Sequence, residues 1–114
     1  MPYLRFTGFA GDSLRLLAPR MTQEFAQLVN IEREKVKIEL IASEAITQVP
    51  LSLQIMMFPR KQETHDAIAA ALHHILREAG YDQVHIFFVL LTPSLYYKNG
   101  EPLTAYELHN SADG

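Results

Sequence analysis

The chain contains no cysteine. Disulfides, zinc thiolates and thiol nucleophiles are therefore excluded, and a reducing cytoplasm is the compartment that fits. A long hydrophobic run is missing too. The longest uninterrupted apolar stretch, Ile86 to Leu91, is far too short to span a bilayer. No basic segment followed by an apolar run marks the N-terminus, so no secretory signal is expected. Positive charge is not in excess. Ten lysines and arginines stand against 13 aspartates and glutamates, for a formal net charge of -3. That balance argues against nucleic acid and anionic membranes as partners, since both demand a basic face. What is present is the material for a core. Hydrophobic residues make up 48% of 114, too many for a disordered chain and enough for one domain.

Residues 2–9 read as a β-strand, broken by Gly8, Gly11 and Asp12. From Ser13 the period changes. Leu14, Leu17, Ala18, Met21, Phe25, Leu28 and Val29 form one helical stripe, with Asp12 or Ser13 expected as N-cap. Pro19 marks either a kink or a late start of this helix. In "EREKVKIELI", Val36, Ile38 and Leu40 alternate with Lys37 and Glu39, the pattern of a half-buried strand. The sequence then repeats this order. "PLSLQIMMF" (50–58) is a strand ended by Pro59. Residues 61–79 form a helix with Ile68, Ala71, Leu72, Ile75, Leu76 and Ala79 as its stripe and Gly80 just past its end. "YDQVHIFFVLL" is the fourth strand. An offset of 48 sets Pro2 on Pro50, Leu28 on Leu76, Val36 on Val84 and Ile38 on Ile86.

The expected fold is an α/β (α+β) two-layer sandwich. Two consecutive βαβ units, residues 2–41 and 50–91, share one four-stranded mixed sheet with both helices on one face. Residues 1–103 make the single domain. A hairpin is expected over 92–103 from the turn signal Asn99-Gly100, and 104–114 is a tail whose "HNSADG" reads as disordered.

Period 2 also says which side chains point away from the helices. On the first strands they are mixed: Tyr3, Arg5 and Thr7; Lys37, Glu39 and Ile41; Ser52, Gln54, Met56 and Phe58. On the fourth they are His85, Phe87, Val89 and Leu91, too apolar for a row facing water. A strand apolar on both faces is normally covered on both. A second copy of the chain is the expected cover, so self-association is predicted.

Pro2 opens the first strand. Proline suits that place because it donates nothing to the ladder. It has a second use if Met1 is removed, because its nitrogen then becomes a secondary amine. An α-amino group titrates near pH 8 in model peptides, and apolar burial lowers that value. Such an amine is neutral near pH 7 and can act as a general base. With Met1 in place the same nitrogen is a tertiary amide without basicity.

Pro2, the two βαβ halves, the length and the C-terminal tail resemble the tautomerase superfamily, in particular its macrophage migration inhibitory factor-like branch and a bacterial subgroup without an assigned reaction. The resemblance covers about residues 2–103. It implies a homotrimer with active sites at subunit boundaries and no metal or organic cofactor. It also implies keto–enol isomerisation of a small 2-oxo acid or related carboxylate, with the proline moving the proton. Pro2 matches the catalytic proline. "VKI" places Lys37 where small members carry a carboxylate-binding arginine, and lysine supplies the charge without bidentate geometry. "VHI" places His85 where the branch carries a tyrosine near a neighbour's proline. Phe58 and Pro59 fall at the pocket lining, and Tyr96 and Tyr97 near an aromatic wall. The first-loop arginine has no counterpart, since "FAGD" offers Asp12. Arg33 or Lys35 matches the basic residue before the second strand only by shifting.

Other features weigh less. His73 and His74 point about 100° apart on a helix and chelate one metal poorly. With His65 they read as solvated or boundary residues, and no metal site is expected. His85 faces the helix-free side, beside Lys37 and Arg5 on this reading, as a hydrogen-bonded interface residue or a site residue. "IEREK" is a solvated loop. Three readings stay open: a tautomerase-type enzyme using Pro2, Lys37 and His85; a catalytically silent trimeric binding or structural protein on the same fold; and a ferredoxin-like small-ligand regulatory module. The last requires a strand inserted within each βαβ unit.

Overall fold

Leu4 and Phe6 alternate with Tyr3, Arg5 and Thr7, and that alternation buries one face of strand β1 (Tyr3–Thr7) completely. The computed structural model describes residues 2–103. Helix α1 (Gly11–Val29) follows, then a 3-10 turn at Arg33–Lys35 and strand β2 (Lys37–Ile41). The second half runs through β3 (Leu51–Met57), α2 (Gln62–Glu78) and β4 (Val84–Leu90). A second 3-10 turn at Pro93–Leu95 leads into the short hairpin β5 (Tyr97–Lys98) and β6 (Glu101–Pro102). Asn99 and Gly100 both have positive φ, 54° and 82°. This is what a two-residue hairpin turn of that hand requires. The tail 104–114 lies outside the described residues, and with it the reading of "HNSADG" as disordered.

The sheet order is β2-β1-β3-β4. β1 is parallel to β2, β3 is parallel to β4, and the central pair β1 and β3 is antiparallel. Each βαβ unit is therefore intact, and the two halves meet back to back as the repeat predicts. No strand separates β1 from β2 or β3 from β4. This overturns the ferredoxin-like reading, whose sheet splits each unit. Leu4, Phe6, Leu53, Ile55, Met21, Phe25, Ile68 and Leu72 form the centre of one core between sheet and helices. Opposite lies the face free of helices, where Tyr3, Arg5, Gln54 and Met56 are half-buried.

Three local expectations are corrected. Neither Asp12 nor Ser13 caps α1. The helix already begins at Gly11, after an extended Ala10 that makes no side-chain cap. Gly8, at φ 92°, turns the chain early enough for this. Asp12 falls instead in the first turn, where a carboxylate suits the helix dipole, and pairs with Arg15 at 3.4 Å. Pro19 is not a late start. It lies inside the helix, which runs through it without a break. Its ring leaves the Arg15 carbonyl without the usual N–H partner. Pro19→Ala is expected to stabilise the fold by about 1 to 3 kcal/mol, read as a raised urea midpoint at unchanged slope. An unchanged or lowered midpoint would show that the core packing around α1 depends on the proline.

The third correction concerns His65, which is buried, not solvated. It precedes Ile68, Leu72 and Ile75 on the same side of α2 and extends the apolar stripe by one turn. His73 and His74 stay on the outer surface, 3.0 Å from the Asp82 carbonyl and 3.2 Å from Glu78 respectively. Glu78 also joins the two helices through Arg20, at 2.6 Å. The Arg20 hydrogen bond holds the Glu78 carboxyl below its ordinary range. Gly80 ends α2 as expected. Its φ is 98°, and Tyr81 and Gly80 donate their N–H groups to the carbonyls of Leu76 and Arg77. That is the left-handed helix stop that glycine favours. Among the described residues no helix is long and apolar enough to cross a membrane.

Candidate functional site

The topology gathers chemistry at one end of the sheet. β1 and β2 begin there, and β3 and β4 end there, because the two units run in opposite directions. Pro2 is buried at this end and its carbonyl accepts the Lys37 N–H at 3.0 Å. The antiparallel register pairs Tyr3 with Met56. Continued by one residue, that register sets Met57 across from Pro2, and Phe58 follows it at the end of β3. Phe58 is buried, and its ring meets Tyr96 edge-on at a centroid distance of 5.6 Å. Tyr96 is half-buried. It is brought back over this end by the 3-10 turn after β4, closed by its N–H on the Pro93 carbonyl at 3.1 Å.

Of the residues expected at a site, the structure therefore brings Pro2, Lys37, Phe58 and Tyr96 to one end. Lys37 is exposed there, and its Nζ donates to the Glu34 carbonyl at 2.8 Å. Tyr97 faces solvent on β5, 56% exposed. His85 is not beside Lys37 and Arg5. Its row across the sheet contains Ser52, Thr7 and Ile41, whereas the row of Lys37 contains Tyr3, Met56 and Val89. His85 is the second residue of β4, and β4 starts at the far end of the opposite edge, so within one chain it is remote from Pro2.

Three residues at this end escaped the sequence reading. Tyr3 stands next to Pro2, in register between Lys37 and Met56. Burial first, then the charge and hydrogen bond of the Tyr3 hydroxyl, push the Tyr96 phenol above its ordinary range. Arg60 follows Pro59, and its Nη1 donates to the Phe58 carbonyl at 3.2 Å. His65 fixes this corner from behind. Its Nε2 accepts the Arg60 backbone N–H at 3.0 Å, and its ring packs edge-on against Phe88 at 4.4 Å. The usable signal for all three was position: each lies within three residues of Pro2 or Phe58, or on the first turn of the helix that follows. Arg5, further along β1, sits 3.3 Å from Glu39 on the open face. An open groove lined by Arg20, Gln23, Glu24, Gln27, Leu28 and Ala71 lies on the helical layer, away from this end, and brings together no comparable set.

Comparison with known proteins fits the architecture. A search of curated proteins found no match. Among solved structures, a protein of unknown function from Vibrio cholerae is 26% identical, over 90% of this chain and 87% of that one, with a TM-score of 0.81. A domain of unknown function from Sebaldella termitidis is 19% identical, over 90% and 100% of the chains, with a TM-score of 0.82. A macrophage migration inhibitory factor-like protein from Entamoeba histolytica is only 7% identical, yet over 90% and 98% of the chains its TM-score is 0.68. A fused 4-OT protein described as an asymmetric trimer also shares the fold, at 16% identity and a TM-score of 0.71. The sheet and its two helices are thus those of the tautomerase and macrophage migration inhibitory factor fold. Residues 1–102 match the family described as a domain of unknown function, DUF1904, and the chain belongs to that family.

Proposed function

We propose that this protein is a tautomerase-type acid–base catalyst on a small 2-oxo acid or related carboxylate, with Pro2 as the base. The observation that carries this reading is the position of Pro2. It is buried at the head of a central strand, with its carbonyl on the Lys37 N–H, at the end of the sheet where β3 runs out into Phe58 and Arg60. Removal of Met1 leaves a secondary amine there, and burial keeps such an amine neutral near pH 7. The neutral amine takes a proton from the carbon next to the carbonyl. The C–H electrons become the new C=C bond, the carbonyl π pair moves onto oxygen, and the prolinium returns the proton to that oxygen. No atom is gained or lost. Arg60 and Lys37 are the cations at this end for the substrate carboxylate. Arg60 offers the planar fork that Lys37 lacks.

The assembly in this proposal is a homotrimer. The trimeric neighbour of the same fold and the exposed apolar residues of β4 support it. His85 then belongs to a site only as a residue contributed by a neighbouring copy. A catalytically silent binding or structural protein is the second reading. The observation in its favour is that the Lys37 ammonium is already tied to the Glu34 carbonyl and Arg5 to Glu39.

The test compares two preparations in a 2-oxo acid tautomerisation assay. One has lost Met1, verified by intact mass; the other keeps a residue ahead of Pro2. Turnover is expected only from the first, because an amide nitrogen is not a base. Equal turnover, or none from either, would sink the enzymatic reading and favour the silent one.

A further inference from the structure

We infer that His65 is a positioning residue for Arg60 that works only as a neutral imidazole, so that capture of a carboxylate at this end weakens as the pH falls. The inference deepens the proposed function, since it rests on Arg60 as a cation for the substrate carboxylate. It starts from the way α2 begins. The helix follows an extended Lys61 that makes no side-chain cap. One common device for fixing the entry of a helix is an apolar contact between the residue before the cap and the fourth residue of the helix. Those two positions are Arg60 and His65. Here a hydrogen bond joins them instead: the Arg60 backbone N–H donates to His65 Nε2 at 3.0 Å.

Arg60 is thereby held from two sides. Its backbone is tied to His65, and its Nη1 donates to the Phe58 carbonyl at 3.2 Å. Pro59 lies between and fixes its own φ. The ring that does the tying has little room to move. His65 is only 9% exposed, and it packs edge-on against Phe88 on β4 at 4.4 Å. Where this ring sits therefore sets where the turn from Phe58 to Arg60 sits.

The direction of the hydrogen bond fixes the protonation state. An Nε2 that accepts carries no proton, so the neutral ring holds its proton on Nδ1. Nδ1 is buried and has no hydrogen-bond partner among the described residues. An apolar side chain would staple the turn without leaving that donor unspent. What imidazole adds is an acceptor whose charge changes near neutral pH. Protonation puts a hydrogen on Nε2, opposite the Arg60 N–H, and the bond is lost.

The surroundings do not compensate an imidazolium. Arg60 is itself a cation. On α2, Lys61, Glu63 and Asp66 are exposed, and Asp66 accepts from Gln62 at 2.9 Å. β3 has no ionisable residue, and β4 has only His85, three residues before Phe88. On α1, Asp12 is paired with Arg15 and Glu24 with Arg20, which also holds Glu78 at the other end of α2. Among the described residues no carboxylate is bonded to the His65 ring.

Two measurements test the inference, one of them free of turnover. Nitrogen-resolved NMR should find His65 Nε2 without a proton at pH 7.5. The Arg60 amide should lose its protection against hydrogen exchange in step with protonation of that ring. In the tautomerisation assay, KM is expected to rise about 10-fold from pH 8 to pH 5.5 relative to His65→Gln, whose amide oxygen accepts but does not titrate. Pro2 titrates alike in both proteins, so the difference isolates His65. His65→Leu, which packs but cannot accept, should show a raised KM at every pH with a smaller change in kcat. A ring protonated at Nε2, or an Arg60 amide indifferent to the ring, would overturn the inference. So would identical KM profiles in wild type and His65→Gln, and that outcome would leave Pro2 as the base. A wild type without turnover would sink the catalytic reading, and oxalate affinity then takes the place of KM. Affinity that falls on acidification in the wild type relative to His65→Gln would uphold the hold of His65 on Arg60; identical profiles, or no oxalate binding, would overturn it.

Discussion

Pro2→Ala is expected to lower turnover of a 2-oxo acid by about 100- to 10,000-fold, the usual size of a positioned general base. The variant is informative because it keeps a nitrogen. Alanine also permits removal of Met1, so an α-amino group remains in both proteins. What the substitution removes is the ring. Proline fixes the dihedral that aims the nitrogen. In this protein Pro2 is buried. The alanine amine rotates freely and draws water. Hydration returns its pKa toward the ordinary α-amino value, so more of it is protonated at pH 7. Both changes act on the reaction and neither on the fold. Pro2 donates no hydrogen bond, and its carbonyl, which takes the Lys37 N–H, is present in alanine too. Thermal unfolding and circular dichroism should therefore be nearly unchanged while kcat collapses. Turnover indifferent to the substitution would remove Pro2 from the mechanism, whatever else the site does.

The features that were legible in the sequence are those a short window can carry. Each change of hydrophobic period marked a strand or a helix, and the offset of 48 carried β1 onto β3 and β2 onto β4 because the halves are one unit built twice. Gly80 and Asn99-Gly100 announced their turns because their backbone conformations disfavour most other side chains. The misses came from information held elsewhere. The start of α1 depends on how Gly8 turns the chain, not on the polar residues that follow. His65 looked like one of several histidines until the helix was phased against the sheet.

Site placement failed in the same way. His85 and Lys37 both face away from the helices, but only the strand order puts them at opposite edges, and only the register puts them in different rows. Tyr3 was read as one side chain of a strand face. What else reaches that end of the sheet depends on residues such as Tyr96, more than 90 residues later, which a turn brings back against Phe58. Arg60 sat unremarked after a proline, because a loop gives no periodicity from which to judge direction. Pro2 is singled out by its place in the chain, whereas the residues around it are set by tertiary closure, which a sequence window does not carry.

Phe87→Glu is expected to convert the assembled protein to single chains at micromolar concentration, measured as molar mass by light scattering during size exclusion. Phe87 is 46% exposed on β4, an edge strand. Leu90, Leu95 and Tyr97, at 53%, 72% and 56%, are further exposed apolar side chains at the end of β4 and in the segment that follows it. An unpaired edge with this much apolar surface is a template for another chain. A carboxylate placed inside that contact costs several kcal/mol, on the order of what a modest interface supplies, and in the proposed trimer the penalty recurs in every copy. Leu16→Glu is the control. Leu16 is 83% exposed on α1, and loss of the assembly from that variant as well would point to general damage. The expectation bears on the site too. His85 is remote from Pro2 within one chain, so the two can act together only across a boundary between copies. If they do, Phe87→Glu lowers turnover along with mass, and His85→Ala lowers it further only in the assembled protein. A wild type that is already a single chain, or a Phe87→Glu variant of unchanged mass, would overturn the assembly and leave His85 outside the site.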